Sequence, residues 1–112
     1  MKNIYLTYLA LVSAITEESE ELKALDAESR KLLEIIAVKA HNNTPLAVTH
    51  AMQLNQIGSP AMIHRKIGYL KDAGLIHYEH QENNRRTKYM KPTAQADAYF
   101  EKIGLALIAA TK

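Results

Sequence analysis

The chain of 112 residues contains no cysteine and no tryptophan, and only four glycines and three prolines. Without cysteine it can form neither a disulfide framework nor a thiolate metal site, and it has no cysteine nucleophile. The scarcity of glycine and proline argues against a loop-rich or fibrous protein, and an apolar content of 47% argues against a disordered one. The length predicts one domain with a hydrophobic core, and the composition is compatible with a reducing, cytoplasmic compartment.

An excess of charge of one sign is also lacking overall, because the formal net charge is only +2. The distribution of the charges is nevertheless uneven. Between Ser59 and Lys91 seven basic residues accompany three acidic ones, whereas the rest of the chain has seven basic and nine acidic residues. A basic block in an otherwise acidic chain favours a polyanionic partner bound at one face, although charged residues also serve simply to solvate a surface.

The N-terminal segment has no charged residue from Ile4 to Ile15, and four glutamates follow between Glu17 and Glu21. This apolar stretch is too short to span a bilayer as a helix, which needs about 20 residues. A lysine before a short apolar stretch also occurs in secretory signals, but the tyrosines within it argue against one. The apolar residues cover more than one narrow helical face. We therefore predict a helix from Ile4 to about Leu22, buried within the subunit or against a second copy.

The next part of the chain predicts two further helices. Asp26 is a good N-cap, and apolar residues at helical spacing extend over 29–41. Residues 42–45 end this helix, because the residue before a proline disfavours helical geometry. Leu46 could form a very short strand, and a helix is predicted over 48–55.

A third predicted helix follows the turn at 56–58. Ser59 is its N-cap and Pro60 takes the first position, where the missing N–H costs nothing. Apolar residues at i, i+4 and i+7 mark its buried side. They are Ile63, Ile67 and Leu70. Gly74 supplies a left-handed stop, so this helix is expected to end at about residue 73.

The remainder predicts a hairpin and a last helix. Residues 75–79 are β-prone, 81–86 form a polar loop, and 87–90 return as a second strand. The last helix spans 93–110. The predicted fold is therefore mostly helical with a small β-hairpin: one domain, with a winged helix-turn-helix over 26–92 flanked by N-terminal (1–25) and C-terminal (93–112) helices for dimerisation.

Two segments within 46–92 carry a family resemblance. The first is Ser59-Pro60-Ala61-Met62-Ile63-His64-Arg65-Lys66-Ile67, followed by Leu70 and Ala73-Gly74-Leu75-Ile76; the second is Arg85-Arg86 with Lys91-Pro92-Thr93. They resemble the winged helix-turn-helix of MarR-type transcriptional regulators. In that family the first segment is the recognition helix running into the wing, and the second is the wing and the entry to the next helix. The resemblance implies a dimeric DNA-binding regulator.

The sequence departs from this family in two places. The family's wing carries an Asp-x-Arg-Asp element before its paired arginines, whereas Gln81, Asn83 and Asn84 stand here, without those acidic partners. Only one helix follows the wing instead of two, so a dimer would rely on 4–22 and 93–110. A small-molecule effector pocket is common in the family, but the sequence assigns no effector.

The expected DNA contacts lie on the third helix and at the hairpin tip. They are Ser59, Ala61, His64, Arg65, Lys66, Arg85, Arg86 and Lys88. Arg65 is the expected base reader because its guanidinium can bind O6 and N7 of guanine together, and the alternative is an ordinary surface arginine. Ser59 is a cap with or without a DNA contact, and His64 could be merely solvated. Lys66 and Lys71 would contact phosphate or serve solubility, whereas the tip carries more cations than a turn requires.

The sequence gives little support for a metal site or for an enzyme active site. Five histidines lie between His41 and His80, but His77 and His80 are three apart on a predicted strand and so point to opposite faces. No pair has helical i, i+4 spacing with a nearby glutamate. The chain has no glycine-rich phosphate loop, no nucleophile elbow and no carboxylate pair in a plausible cleft. We expect no metal, no cofactor and no enzyme activity.

The sequence therefore predicts a homodimeric, sequence-specific regulator of transcription that binds duplex DNA, in the first instance a repressor. The helix at 59–73 would enter the major groove, and the wing at 81–88 would contact the backbone or the minor groove. The alternative is a winged helix that mediates protein–protein contacts without DNA, because a fold does not settle a function.

Overall fold

A computed structural model describes all 112 residues and contains six helices and a three-stranded antiparallel sheet. The elements are α1 (Lys2–Glu17), α2 (Glu20–Lys23), α3 (Ala27–His41), β1 (Leu46–Ala47), α4 (Val48–Ala51), α5 (Pro60–Asp72), β2 (Ile76–Gln81), β3 (Asn84–Pro92) and α6 (Ala94–Ala110). The predicted fold class, mostly helical with a small β-hairpin, is confirmed.

Side-chain caps define where the main helices begin. Asp26 Oδ1 accepts a hydrogen bond from the backbone N–H of Ser29 at 2.7 Å, and so caps α3. Ser59 Oγ accepts from the N–H of Met62 at 3.2 Å, so Ser59 is the N-cap and Pro60 is the first residue of α5. Both caps were predicted, because each satisfies an N–H group that has no partner within its own helix. Gly74 ends α5 with a φ of +75°, as its left-handed stop requires.

The sheet has the strand order β1-β3-β2, so the longest strand lies in the middle. Leu46 pairs with Met90 on one side, and Tyr78 pairs with Met90 on the other. Met90 is fully buried, and its side chain lies in the core that α3, α4 and α5 share with the sheet. The centre of α3 contributes Leu32, Leu33 and Ile36 to this core. The sheet and α3 therefore form the support on which α5 rests.

Two predicted helices have different bounds in the structure. The predicted helix from Ile4 to Leu22 is broken after Glu17, because Ser19 Oγ accepts from the N–H of Leu22 and starts the separate helix α2. The predicted helix over 48–55 ends at Ala51. Beyond it the chain makes tighter i→i+3 bonds, such as that from the N–H of Leu54 to the carbonyl of Ala51.

Helices α1 and α6 pack along each other and extend away from the rest of the domain. The C-terminal end of α1 lies beside the first half of α6, where Thr16 Oγ1 is 3.5 Å from the Tyr99 hydroxyl and Lys102 Nζ is 3.7 Å from Glu18. The radius of gyration is 15.1 Å, compared with about 13 Å for a compact chain of this length. Residues 3–12 of α1 and 103–110 of α6 thus form a protruding pair, called here the two-helix arm.

No helix of the structure combines the length and the apolar character that crossing a bilayer requires.

Candidate nucleic-acid interface

Helix α5 has one buried side and one exposed side, as its spacing predicts. Ile63, Ile67 and Leu70 are buried against α3, α4 and the sheet. The opposite side exposes Ala61, His64, Arg65 and Asp72, with Gly68 half-buried. Since Arg65 forms no ion pair, its guanidinium keeps all its donors for an external partner. Small residues at the start of α5 leave the helix free to approach a flat or concave surface closely.

Lys66 does not lie on that exposed side. Its side chain is only 8% exposed, and its Nζ is 3.0 Å from Oδ2 of Asp26 in the loop before α3. This corrects the expectation that Lys66 contacts DNA. An ammonium that is already desolvated and paired does not reach a phosphate unless the helix core opens. Helical spacing alone does not show whether Lys66 is buried, because this residue lies at the edge of the apolar side of α5.

The wing differs from the predicted hairpin in length and regularity. Its strands continue to Gln81 and resume at Asn84, so only Glu82 and Asn83 form the turn. The register shifts between the pairs Glu79–Tyr89 and Gln81–Asn84, so that His80 alone stands opposite residues 85–88. A bulge of this kind twists the strand and re-aims its side chains. It presents Arg85, Arg86 and Lys88 as exposed, unpaired cations.

An asparagine stabilises the tip in place of the family's acidic pairing. Asn84 Oδ1 accepts from the backbone N–H groups of Arg86 at 3.2 Å and Thr87 at 3.3 Å, while its Nδ2 donates to Thr87 Oγ1 at 3.0 Å. His80 Nδ1 is also 3.0 Å from the carbonyl oxygen of Thr87. An Asx turn therefore holds the bulge without consuming an arginine in an ion pair. The asparagines that replace acidic residues were a visible sequence signal for such a turn.

Tyr78 joins α5 to the wing. The ammonium groups of Lys71 on α5 and Lys88 on β3 each lie 5.3 Å from the centroid of its ring. Burial, and then the nearby carboxylate of Asp72, raises the pKa of the Tyr78 hydroxyl, so the phenol stays neutral at physiological pH. Both lysines are thereby held where α5 and the wing meet, a contact that depends on how β2 packs against α5 and pairs with β3.

The remaining cation of the basic block is neutralised within the wing. Lys91 Nζ lies 3.1 Å from Oε1 of Glu79, which is diagonally opposite on β2, and His77 Nε2 lies 3.4 Å from Oε2 of the same carboxylate. Five basic side chains in the block are consequently exposed and unpaired. They are Arg65, Lys71, Arg85, Arg86 and Lys88.

Two other features of the molecule bear on metal and small-molecule binding. No three histidine, aspartate or glutamate side chains come together in a group that could hold a metal ion. The largest cavity, about 640 Å³, opens between the C-terminal part of α3, the base of the wing and the start of α6, and no residue of α5 lines it.

The fold and this face together define a winged helix-turn-helix protein with a basic outer surface. The chain is similar in structure to the YusO protein from Bacillus subtilis, with a TM-score of 0.56 and 23% sequence identity over 99% of this chain and 77% of that one. This likeness shows the fold of the chain. No protein-family model matches the sequence, and neither does any curated protein.

Proposed function

We propose that this chain is a transcriptional regulator, in the first instance a repressor, that binds duplex DNA sequence-specifically. The observation that carries the proposal is the set of five exposed, unpaired cations on α5 and the bulged wing, two of which share the ring of Tyr78. Such a surface suits a polyanion with a regular backbone. The MarR-like fold supports the same conclusion at the level of protein class.

In the proposed complex, α5 lies in the major groove, which is about 12 Å wide and admits a helix. Ala61 faces the groove floor at close range. Arg65 donates a bidentate pair to O6 and N7 of a guanine, and His64 contacts a neighbouring base or phosphate. Ser59 keeps its capping role at the helix N-terminus, where the free N–H groups also favour a phosphate.

The wing and the end of α5 contact the sugar-phosphate backbone. Arg85 and Arg86 follow the backbone or enter the adjacent minor groove, and Lys71 and Lys88 bind phosphates at the junction marked by Tyr78. Phosphate contacts set the register of a protein on DNA, whereas base contacts set its sequence preference. We propose that the wing sets the register of this chain on DNA and that Arg65 sets its sequence preference.

A second copy of the chain covers the two-helix arm. The arm contains no charged residue, yet its large apolar side chains are half exposed, for example Leu6 (51%) and Leu107 (53%). Contiguous apolar surface of this kind marks an interface, and self-association of identical helices gives a two-fold dimer. Such a dimer presents two α5 helices to half-sites about one helical turn, roughly 34 Å, apart.

Selection of bound sites from random duplex DNA tests the DNA-binding proposal. We expect an enriched pseudo-palindrome, and we expect Arg65→Ala to relax the preference at one guanine position by about 5- to 150-fold, equivalent to about 1–3 kcal/mol. Absence of any salt-dependent binding to duplex DNA would contradict the proposal and favour a protein–protein module. Retention of full sequence preference by the variant would remove Arg65 as the base reader.

Light scattering tests the dimer. The wild-type chain is expected at twice the chain mass, and Leu107→Glu on the arm is expected to give the monomer mass, because a charge cannot be buried in an apolar interface without a partner. Val38→Glu is the matched control, since Val38 is similarly exposed (58%) but lies on α3, outside the arm. A wild-type monomer, or equal disruption by both variants, would contradict the assignment of the arm.

A further inference from the structure

One ion pair, between a buried lysine and a half-exposed aspartate, connects α5 to the start of α3. Lys66 is the only lysine whose side chain lies among the buried residues, next to Ile63 and Ile67 on α5. Its Nζ is 3.0 Å from Oδ2 of Asp26. The other carboxylate oxygen, Oδ1, accepts from the N–H of Ser29 at 2.7 Å. A single carboxylate therefore holds the start of α3 with one oxygen and α5 with the other.

Asp26, which lies in the loop before α3, is held in place by the contacts around that loop. Arg30 Nη2 on α3 donates to the carbonyl oxygen of Leu22 at 3.1 Å, which ties the end of α2 to α3 across the loop that contains Asp26. The backbone hydrogen bond from Ser29 lowers the pKa of Asp26. Burial opposes this effect to a smaller extent and the contact with Lys66 lowers the pKa further, so the carboxylate is charged at neutral pH.

The ion pair between Asp26 and Lys66 restricts the rotation of α5 about its own axis, which apolar packing restricts less. Hydrophobic burial is non-directional, so Ile63, Ile67 and Leu70 hold α5 inward without specifying its rotation closely. Lys66 lies at the edge of that stripe, about 100° around the helix from Arg65. A rotation of about 20° at a side-chain radius of about 5–6 Å would move the outer face by about 2 Å. Such a shift exceeds the tolerance of a bidentate hydrogen bond.

We propose that Asp26 and Lys66 are positioning residues for base recognition: their ion pair sets the rotation of α5 and so places Arg65 against the base edge. This inference rests on the proposed DNA binding. It assigns Lys66 no contact with DNA, which distinguishes it from a phosphate ligand, and it assigns Asp26 a role beyond that of a helix cap.

The test uses Lys66→Met, because methionine is an unbranched helix former of similar length that fits an apolar site. Asp26 is 49% exposed and remains solvated after the change, so the variant is expected to fold with an undiminished thermal midpoint. We expect the ratio of specific to non-specific duplex affinity to fall about tenfold, within the range for one base contact. The slope of affinity against salt should stay unchanged, since no phosphate contact is lost.

Two further variants separate the roles. Asp26→Asn keeps a good N-cap but removes the charge that faces Lys66, so it should lower both the thermal midpoint and the specificity ratio. Lys71→Met is the matched control on the same helix. It should weaken binding to every sequence and reduce the salt slope of the dimer by about two, because one phosphate contact is lost in each protomer, while the specificity ratio stays constant.

A Lys66→Met protein with the wild-type specificity ratio would overturn the proposal, and so would one with a reduced salt slope, which would make Lys66 a phosphate contact. If the wild-type chain binds no duplex DNA, the proposed function fails. The effect of the ion pair on the position of α5 is then measured without DNA, by spin labelling. Because the chain has no cysteine of its own, nitroxide labels on a His64→Cys/Lys31→Cys variant attach only at those two positions. A label distance distribution that Lys66→Met shifts or broadens supports the positioning, and an unchanged one refutes it.

Discussion

Salt dependence offers the sharpest quantitative test of the proposed interface. Lys71, Arg85, Arg86 and Lys88 are exposed and unpaired and are the proposed phosphate contacts of each protomer. Each phosphate neutralised on B-DNA contributes about −0.9 to the slope of log affinity against log salt, so the contacts of a dimer predict a slope of about −7. Raising the salt from about 50 to about 200 mM should then weaken binding about 10⁴-fold.

Replacing both wing arginines by alanine halves the number of contacts. For Arg85→Ala/Arg86→Ala the slope should fall to about −3.6, and the same change of salt should weaken binding only about 10²-fold. The assay is fluorescence anisotropy of a labelled duplex, titrated with protein at four or more salt concentrations. Affinity for every sequence should fall, because the arginines are proposed to contact the backbone.

A control with the same change of net charge isolates the role of position. Lys31 and Lys39 on α3 are also exposed and form no ion pair, but they lie outside the proposed interface. Lys31→Ala/Lys39→Ala should therefore keep the wild-type slope. A wing variant that keeps the wild-type slope would contradict the proposed interface, and so would an α3 control whose slope falls as much as that of the wing variant.

Three further predictions concern single positions. Gly74→Ala should lower the free energy of unfolding by about 1–2 kcal/mol, because φ is +75° there; a urea midpoint that does not move would contradict this. Tyr78→Leu should weaken binding to all duplexes about two- to fivefold by releasing Lys71 and Lys88, whereas Tyr78→Phe, which keeps the ring, should not; equal loss in both anisotropy titrations would implicate the hydroxyl instead. Because the pKa of Asp26 is lowered from 3.8, its carboxylate stabilises the fold above that pH, and the stabilisation is lost as the pH falls below it. Thermal midpoints of Asp26→Asn and wild type should therefore differ at neutral pH and converge in acid, and a constant difference would argue against this linkage.

Local chemistry explains which parts of the fold were predictable. The caps at Asp26 and Ser59 act on N–H groups three residues away, so a short stretch of sequence suffices to place the starts of α3 and α5. The buried side of α5 follows from helical spacing alone. The order of elements then restricted the topology to a winged helix-turn-helix, and the exposed positions Ala61, His64 and Arg65 followed from the buried ones.

The wing was predictable only in part. Its basic composition is visible in the chain, but its bulge depends on how β3 pairs with β2. The turn was therefore predicted too long, and the role of Asn84 as the residue that holds Arg86 and Thr87 was missed. Register is a property of two strands together, so neither strand alone specifies it.

The sequence by itself determined the starts of α3 and α5, the apolar side of α5 and the position of the basic block, because those properties depend on neighbours within about one turn of helix. Only the tertiary structure decided that Lys66 is withdrawn from the basic face, since its partner Asp26 is 40 residues away in the chain. It likewise decided that Lys71 and Lys88 meet at Tyr78 and that the two-helix arm stands exposed. Ion pairing and burial depend on distances through space, and those distances exist only after the chain has folded.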